Sequence, residues 1–163
     1  MTTVDDATTD DLDALADQWV ALVDDQRRHG THLLAAENRA AARNVLGQRI
    51  AADQLRVARD GDDCLGFVTF YLEEGLYDQD ATRGIIENVY VDPDHRTQGI
   101  GSRLLDAAET ALESRGADAL AIAVMADNDR VRRLYESRGY APHRVILEKS
   151  AESDTHTNPG SQH

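Results

Sequence analysis

Residues 91–105, Val-Asp-Pro-Asp-His-Arg-Thr-Gln-Gly-Ile-Gly-Ser-Arg-Leu-Leu, constrain this chain more than any other stretch. An apolar run from Gly84 to Val91 (GIIENVYV) reads as a strand, and Pro93 turns the chain. Arg96-x-x-Gly99-x-Gly101 follows, opening a helix over Gly101 to Arg115 with Leu104, Leu105, Ala108, Ala111 and Leu112 on one face. Gly116 stands at the C′ position that ends it. Glycines let backbone N–H groups approach a ligand without Cβ obstruction. The helix start adds unpaired donors and the positive end of a dipole. Together they form a cradle for pyrophosphate. Two better-known phosphate motifs fit poorly. A dinucleotide fingerprint needs a third glycine where Leu104 stands. A P-loop needs Gly-Lys-Ser/Thr, and the chain's single lysine is Lys149.

The flanking sequence supplies a fold around this loop. Thr9 reads as the N-cap of a first helix, with Asp10 and Asp11 in its first turn and Leu12, Leu15, Ala16, Trp19, Leu22 and Val23 at helical spacing. A second helix covers about Ala35 to Ala52, with Val45, Leu46 and Ile50 inward. Leu55 to Arg59 alternates like a strand, Asp60-Gly61-Asp62-Asp63 is a turn, and Cys64 to Leu72 is a β-rich run. After a polar loop from Glu73 to Thr82, the chain adds a strand at Ala119 to Val124, a helix at Asn128 to Arg138 closed by Gly139, and a last strand at Val145 to Glu148. A short first strand around Val4 is compatible with this order. The alternation predicts an α/β (α+β) fold with a central mixed sheet and helices on both faces. Residues 1–149 read as one domain, and 150–163 as a disordered tail whose sole apolar residue is Ala151.

Charge narrows the partners. Thirty acidic residues face 17 basic ones, a net charge of -13. Aspartate outnumbers glutamate 21 to 9, and 16 of the bases are arginine. Such a field repels nucleic acid. An Asp-rich, Lys-poor composition resembles proteins of salt-loving organisms, in which salt screens self-repulsion. The apolar runs fall far short of the ~20 residues a membrane helix needs, and MTTVDDATTDDL lacks the features of a secretory signal. One cysteine, Cys64, excludes an internal disulfide and a multi-cysteine zinc site. A cytoplasmic protein binding neither membrane nor metal is expected.

Val91-x-Pro93-x-x-Arg96-x-x-Gly99-Ile100-Gly101-x-x-Leu104-Leu105, followed by Asn128 and by Leu134-Tyr135-x-x-x-Gly139-Tyr140, resembles the GNAT acetyltransferase superfamily. The resemblance covers about Gly84 to Lys149, with Leu65-Gly66-Phe67-Val68 similar to the preceding strand. It implies a mostly antiparallel sheet splayed between its central parallel strands. It implies an N-acetyltransferase that passes an acetyl group from acetyl-CoA to a primary amine of a small molecule or protein by direct attack. The alternative is a catalytically silent CoA-binding sensor or interaction module. Amides of Gln98, Gly99, Ile100, Gly101 and Ser102, with Arg96, would hold the pyrophosphate. Backbone of Val89, Tyr90 and Val91 would pair with the pantetheine arm as an added strand does.

The same resemblance assigns Tyr135 as the acid that protonates the departing thiolate. Its other reading is packing with Val131 and Leu134. Asn128 would touch the cofactor or act as a plain N-cap. Glu87 would take the amine proton or pair with an arginine such as Arg83. The Val89 N–H is a candidate oxyanion donor. Tyr71, Glu73, Glu74, Tyr77, His29 and His32 would border the acceptor. Thr97 departs from the glycine many members carry, a change that costs nothing if φ stays negative there. Homodimers are common in the family.

Overall fold

The computed structural model describes residues 1–152. Its elements are strand β1 (Thr2–Asp6), helices α1 (Leu12–Arg27) and α2 (Arg39–Ala51), strands β2 (Leu55–Asp60), β3 (Asp63–Leu72) and β4 (Arg83–Val91), helix α3 (Ile100–Ser114), strand β5 (Ala119–Ile122) and helix α4 (Asp129–Ser137). The five strands form one sheet in chain order. β1 to β4 pair antiparallel, while β4 and β5 run parallel. This is the mixed sheet the sequence predicts.

Strand alternation sends side chains to two cores. On one face, Ala58, Val68, Phe70 and Ile86 meet Leu104, Leu105, Ala108 and Leu112 of α3. On the other, Leu55, Val57, Phe67 and Tyr90 meet Leu15 of α1 and Leu46 of α2. The helices on each face therefore clamp β3 and β4, the strands that carry the loop.

Three expectations are corrected. The Thr8 N–H donates to Asp11 Oδ2 at 2.8 Å, so the helical entrance is capped one residue before Thr9. Val45 points outward at 42% exposure, because the phase of α2 turns Ala42 and Leu46 inward instead. Val145 to Glu148 forms no strand: residues 141–150 have no regular secondary structure and are exposed, with no strand pairing to them among the described residues. Most of the expected disordered tail, residues 153–163, lies outside the described residues.

Candidate active site

The site starts at an irregularity in β4. Thr69 lies opposite Asn88 and Phe70 opposite Ile86, so Glu87 is the extra residue of a β-bulge. One residue earlier, the parallel ladder with β5 stops at Ile86 and Ile122. β4 runs on to Val91 with its β5 side unpaired among the described residues. A bulge increases local twist, which accounts for the two strands parting here. Val89 and Val91 pack toward the α3 core, and Tyr90 is buried against Phe67 on the opposite face.

The opened strand leads straight into the glycine loop. Gly99 has φ +79, and a Cβ there would meet nothing within 4 Å. Gly99 is exposed, and its left-handed backbone is what calls for glycine there. A Cβ on Gly101 would reach only Val91 Cγ2, at 3.7 Å. Ile100 is buried and anchors the first turn of α3, while Gln98 is exposed and Ser102 half-buried at the surface end. Thr97 has φ +69, against the expectation of negative φ. A β-branched residue is strained in that region.

Arg96 is half-buried and tied back to the protein. Its Nε donates to the Val91 carbonyl at 3.0 Å and its Nη2 to Asp25 Oδ2 at 3.1 Å, with the guanidinium 5.8 Å from the Tyr90 ring centre. It therefore ties the loop to α1. Beside it lies a cleft of ≈ 230 Å³ lined by Asp25, Arg28, His29, Arg96, Asn128 and Arg130 among others. Asn128 is the N-cap of α4 by backbone position, yet its side chain makes no cap hydrogen bond, which leaves the amide free toward this cleft. The sequence reading missed Arg28 and Arg130. Both stand in charged helical stretches that read as solvated faces.

Tyr135 is 9% exposed, packs in the α3 core and meets Tyr140 edge-on with ring centres 6.1 Å apart. Burial pushes its hydroxyl up to about 12. It thus stays a neutral O–H across any working pH, as a proton donor must. Glu87 is gripped from α2: Arg49 Nη2 donates to Oε2 at 2.9 Å and Nε to Oε1 at 3.2 Å. Thr69 Oγ1 adds a third donor at 3.1 Å, and Asn88 Nδ2 in turn donates to that hydroxyl at 3.0 Å. The expected arginine partner is thus found, but it is Arg49. Arg83 instead pairs with Glu73 at 3.2 Å. Thr69 had a sequence signal, being a polar residue inside an apolar strand; Arg49, which also lies 4.7 Å from the Tyr71 ring centre, had none.

The acceptor-side candidates do not gather as one group. His29 bonds Asp127 at 2.8 Å and lines the cleft, His32 bonds Glu148 at 2.8 Å, and Tyr77 is 86% exposed. Tyr71 stays close to Glu87 through Arg49, and Glu74 is exposed on the loop after β3.

Residues 18–140 match the family model described as Acetyltransferase (GNAT) family. The chain belongs to the GNAT acetyltransferase family. A GNAT chain from Ralstonia eutropha JMP134, solved as a GCN5-related N-acetyltransferase, superposes with a TM-score of 0.74 at 26% identity, covering 93% of this chain and 99% of that one. Among curated GNAT relatives, the mycothiol acetyltransferase of Beutenbergia cavernae is 40% identical over 63 residues, 39% of this chain and 21% of that protein. The [ribosomal protein bS18]-alanine N-acetyltransferase of Escherichia coli strain K12 is 43% identical over 53 residues, 32% of this chain and 36% of that protein. The matched stretch thus spans between about a fifth and about a third of these two relatives.

Proposed function

We propose that residues 1–149 act as an acetyl-CoA-dependent N-acetyltransferase working by direct attack of a primary amine on the bound thioester. The observation that carries this reading is the opening between β4 and β5, whose free β4 edge runs directly into the glycine loop at the start of α3. In this reading acetyl-CoA supplies the activated acetyl group, and the chain's residues do the rest. Amides from Gln98 to Ser102 bind the pyrophosphate, with Arg130 adding charge from the cleft mouth. Arg96 acts through the loop geometry that it fixes. The Val89 to Val91 edge holds the pantetheine, and Asn128 touches it from α4.

Glu87 receives the proton the amine must lose, with Arg49 and Thr69 fixing its carboxylate. The amine nitrogen forms a bond to the acetyl carbon, and the Val89 N–H donates to the oxyanion. The carbon–sulfur bond then breaks, and Tyr135 gives the thiolate its proton. Exposed Glu74, Asp78 and Asp80 on the loop after β3 favour a cationic acceptor, either a small amine or a protein N-terminus. The relatives' names fit either class. The composition supports a cytoplasmic, salt-adapted enzyme.

A ligand that binds only the folded state stabilises it by RT ln(1 + [L]/Kd). Acetyl-CoA should therefore raise the Tm. Gly101→Val folds, since its added Cβ meets only ordinary contact, but branches into the cradle and should lose most of that rise. An undiminished shift in the variant would move the cofactor away from this loop.

A further inference from the structure

Lysine is nearly absent from this chain: 16 of the 17 basic residues are arginine, and Lys149 is the exception. The chain therefore offers two primary amines of its own, the Met1 amine and the Lys149 side chain. The structure treats them differently. Met1 N lies 3.0 Å from Asp60 Oδ1, and Thr2 to Asp6 behind it are paired along β2. β1 is the sheet edge opposite β5, three strands from β4 and so ~14 Å away at about 4.8 Å per strand. That amine cannot travel to the opening between β4 and β5.

Lys149 can. It is exposed, in a stretch without regular secondary structure, and its ammonium has no hydrogen bond or ion pair among the described residues. The neighbouring Glu148 lies 2.8 Å from His32 Nε2, a pair exposed at 66% and 81%, which steadies the segment only weakly. The contact does give the segment a direction. His32 belongs to the connection between α1 and α2, and His29 at the start of that connection lines the cleft. The tether is long enough as well. α4 has 9 residues and measures ~14 Å at about 1.5 Å each, and Asn128 at its start lines the same cleft. From Tyr140, just past its end, the chain to Lys149 reaches up to ~33 Å when extended. A short flexible tether gives its amine an effective concentration in the millimolar range, at or above the KM of about 1 μM to 1 mM that enzymes commonly show.

We infer that Lys149 is a self-acetylation site, modified by the acetyl-CoA bound in its own chain. The inference rests on the acetyl-transfer reading above. The neutral Lys149 amine forms the nitrogen–carbon bond and the carbon–sulfur bond breaks. Glu87 takes the proton the nitrogen loses, Tyr135 gives one to the thiolate, and solvent resets both. The products are N-acetyl-lysine and CoA, and the chain loses its single lysine charge.

Intact-mass spectrometry of the full chain incubated with acetyl-CoA tests this. Wild type should gain one acetyl group, which peptide mapping places on Lys149, at a rate per chain that does not change with protein concentration. Lys149→Arg should stay unlabelled yet release CoA thiol with added primary amines as wild type does. Gly101→Val should lose most of the labelling, and so should wild type in excess free CoA. An unlabelled Lys149 in a protein that turns over added amines would overturn the self-acetylation and leave the acetyltransferase standing; no label and no amine turnover would overturn both. Labelling indifferent to Gly101→Val and to free CoA would be uncatalysed chemistry, and a rate that rises with protein concentration would be transfer between chains. Either result overturns the inference.

Discussion

The packing of Tyr135 and its proposed role as an acid are separated by a single substitution. As a core ring it fills space between α3 and Tyr140; as an acid it contributes only its hydroxyl. Tyr135→Phe keeps the ring. General-acid contributions are typically ~10²–10⁴-fold, so kcat should fall within that range at saturating acceptor. Acetyl-CoA affinity should hold, because one neutral hydrogen bond contributes only about 1 kcal/mol. Full activity in the variant would return Tyr135 to a packing role. The raised pKa adds a pH signature. The folded state disfavours the phenolate, so this stabilisation is complete below about pH 10, tyrosine's ordinary value, and is lost as pH rises through about 12. Tyr135→Phe should lessen that alkaline loss, leaving the share of Tyr140, whose hydroxyl is pushed up by burial and by Glu109.

The loop between β4 and α3 was readable in the sequence because its chemistry is local: a strand ends, glycines follow and an amphipathic helix begins. The elements around it were legible for the same reason, apart from ends such as the Thr8 cap that depend on individual hydrogen bonds. What stayed hidden is tertiary. Nothing in the alternation of β4 marks Glu87 as the bulged residue, and nothing in α2 aims Arg49 at it. Val145 to Leu147 has a strand's composition, but a strand needs a partner, and the described chain offers that segment none. Thr97 shows the limit within the loop itself, since its neighbours gave no sign of φ +69. A left-handed non-glycine residue costs of order 1–3 kcal/mol, from which glycine's extra chain entropy subtracts about 0.5–1. Thr97→Gly should therefore raise the Tm by a few degrees, at about 2–4 °C per kcal/mol for a domain of this size. A lower Tm would mean that contacts of the Thr97 side chain outweigh the backbone strain.

At the scale of the molecule, the net charge of -13 sets the conditions under which all these measurements are made. Local ion pairs bind acidic α1 to basic α2 through Arg39 to Asp17 and Arg43 to Asp13, each at 2.9 Å, but aspartates such as Asp10, Asp24, Asp62, Asp63, Asp78 and Asp80 have no ion pair among the described residues. Their mutual repulsion opposes the compact state, and screening relieves it as the Debye length falls from about 10 Å at 0.1 M salt to about 3 Å at 1 M. Melting temperature should rise with KCl over that range; a flat or falling curve would count against a salt-adapted protein. The catalytic assignment is tested most directly in the same buffer, by following free CoA thiol released from acetyl-CoA across a panel of primary amines. The account predicts thiol release that depends on the amine and saturates with it. Acetyl-CoA binding, seen as a Tm shift, with no amine-dependent release from any acceptor would contradict it and leave a cofactor-binding module without turnover.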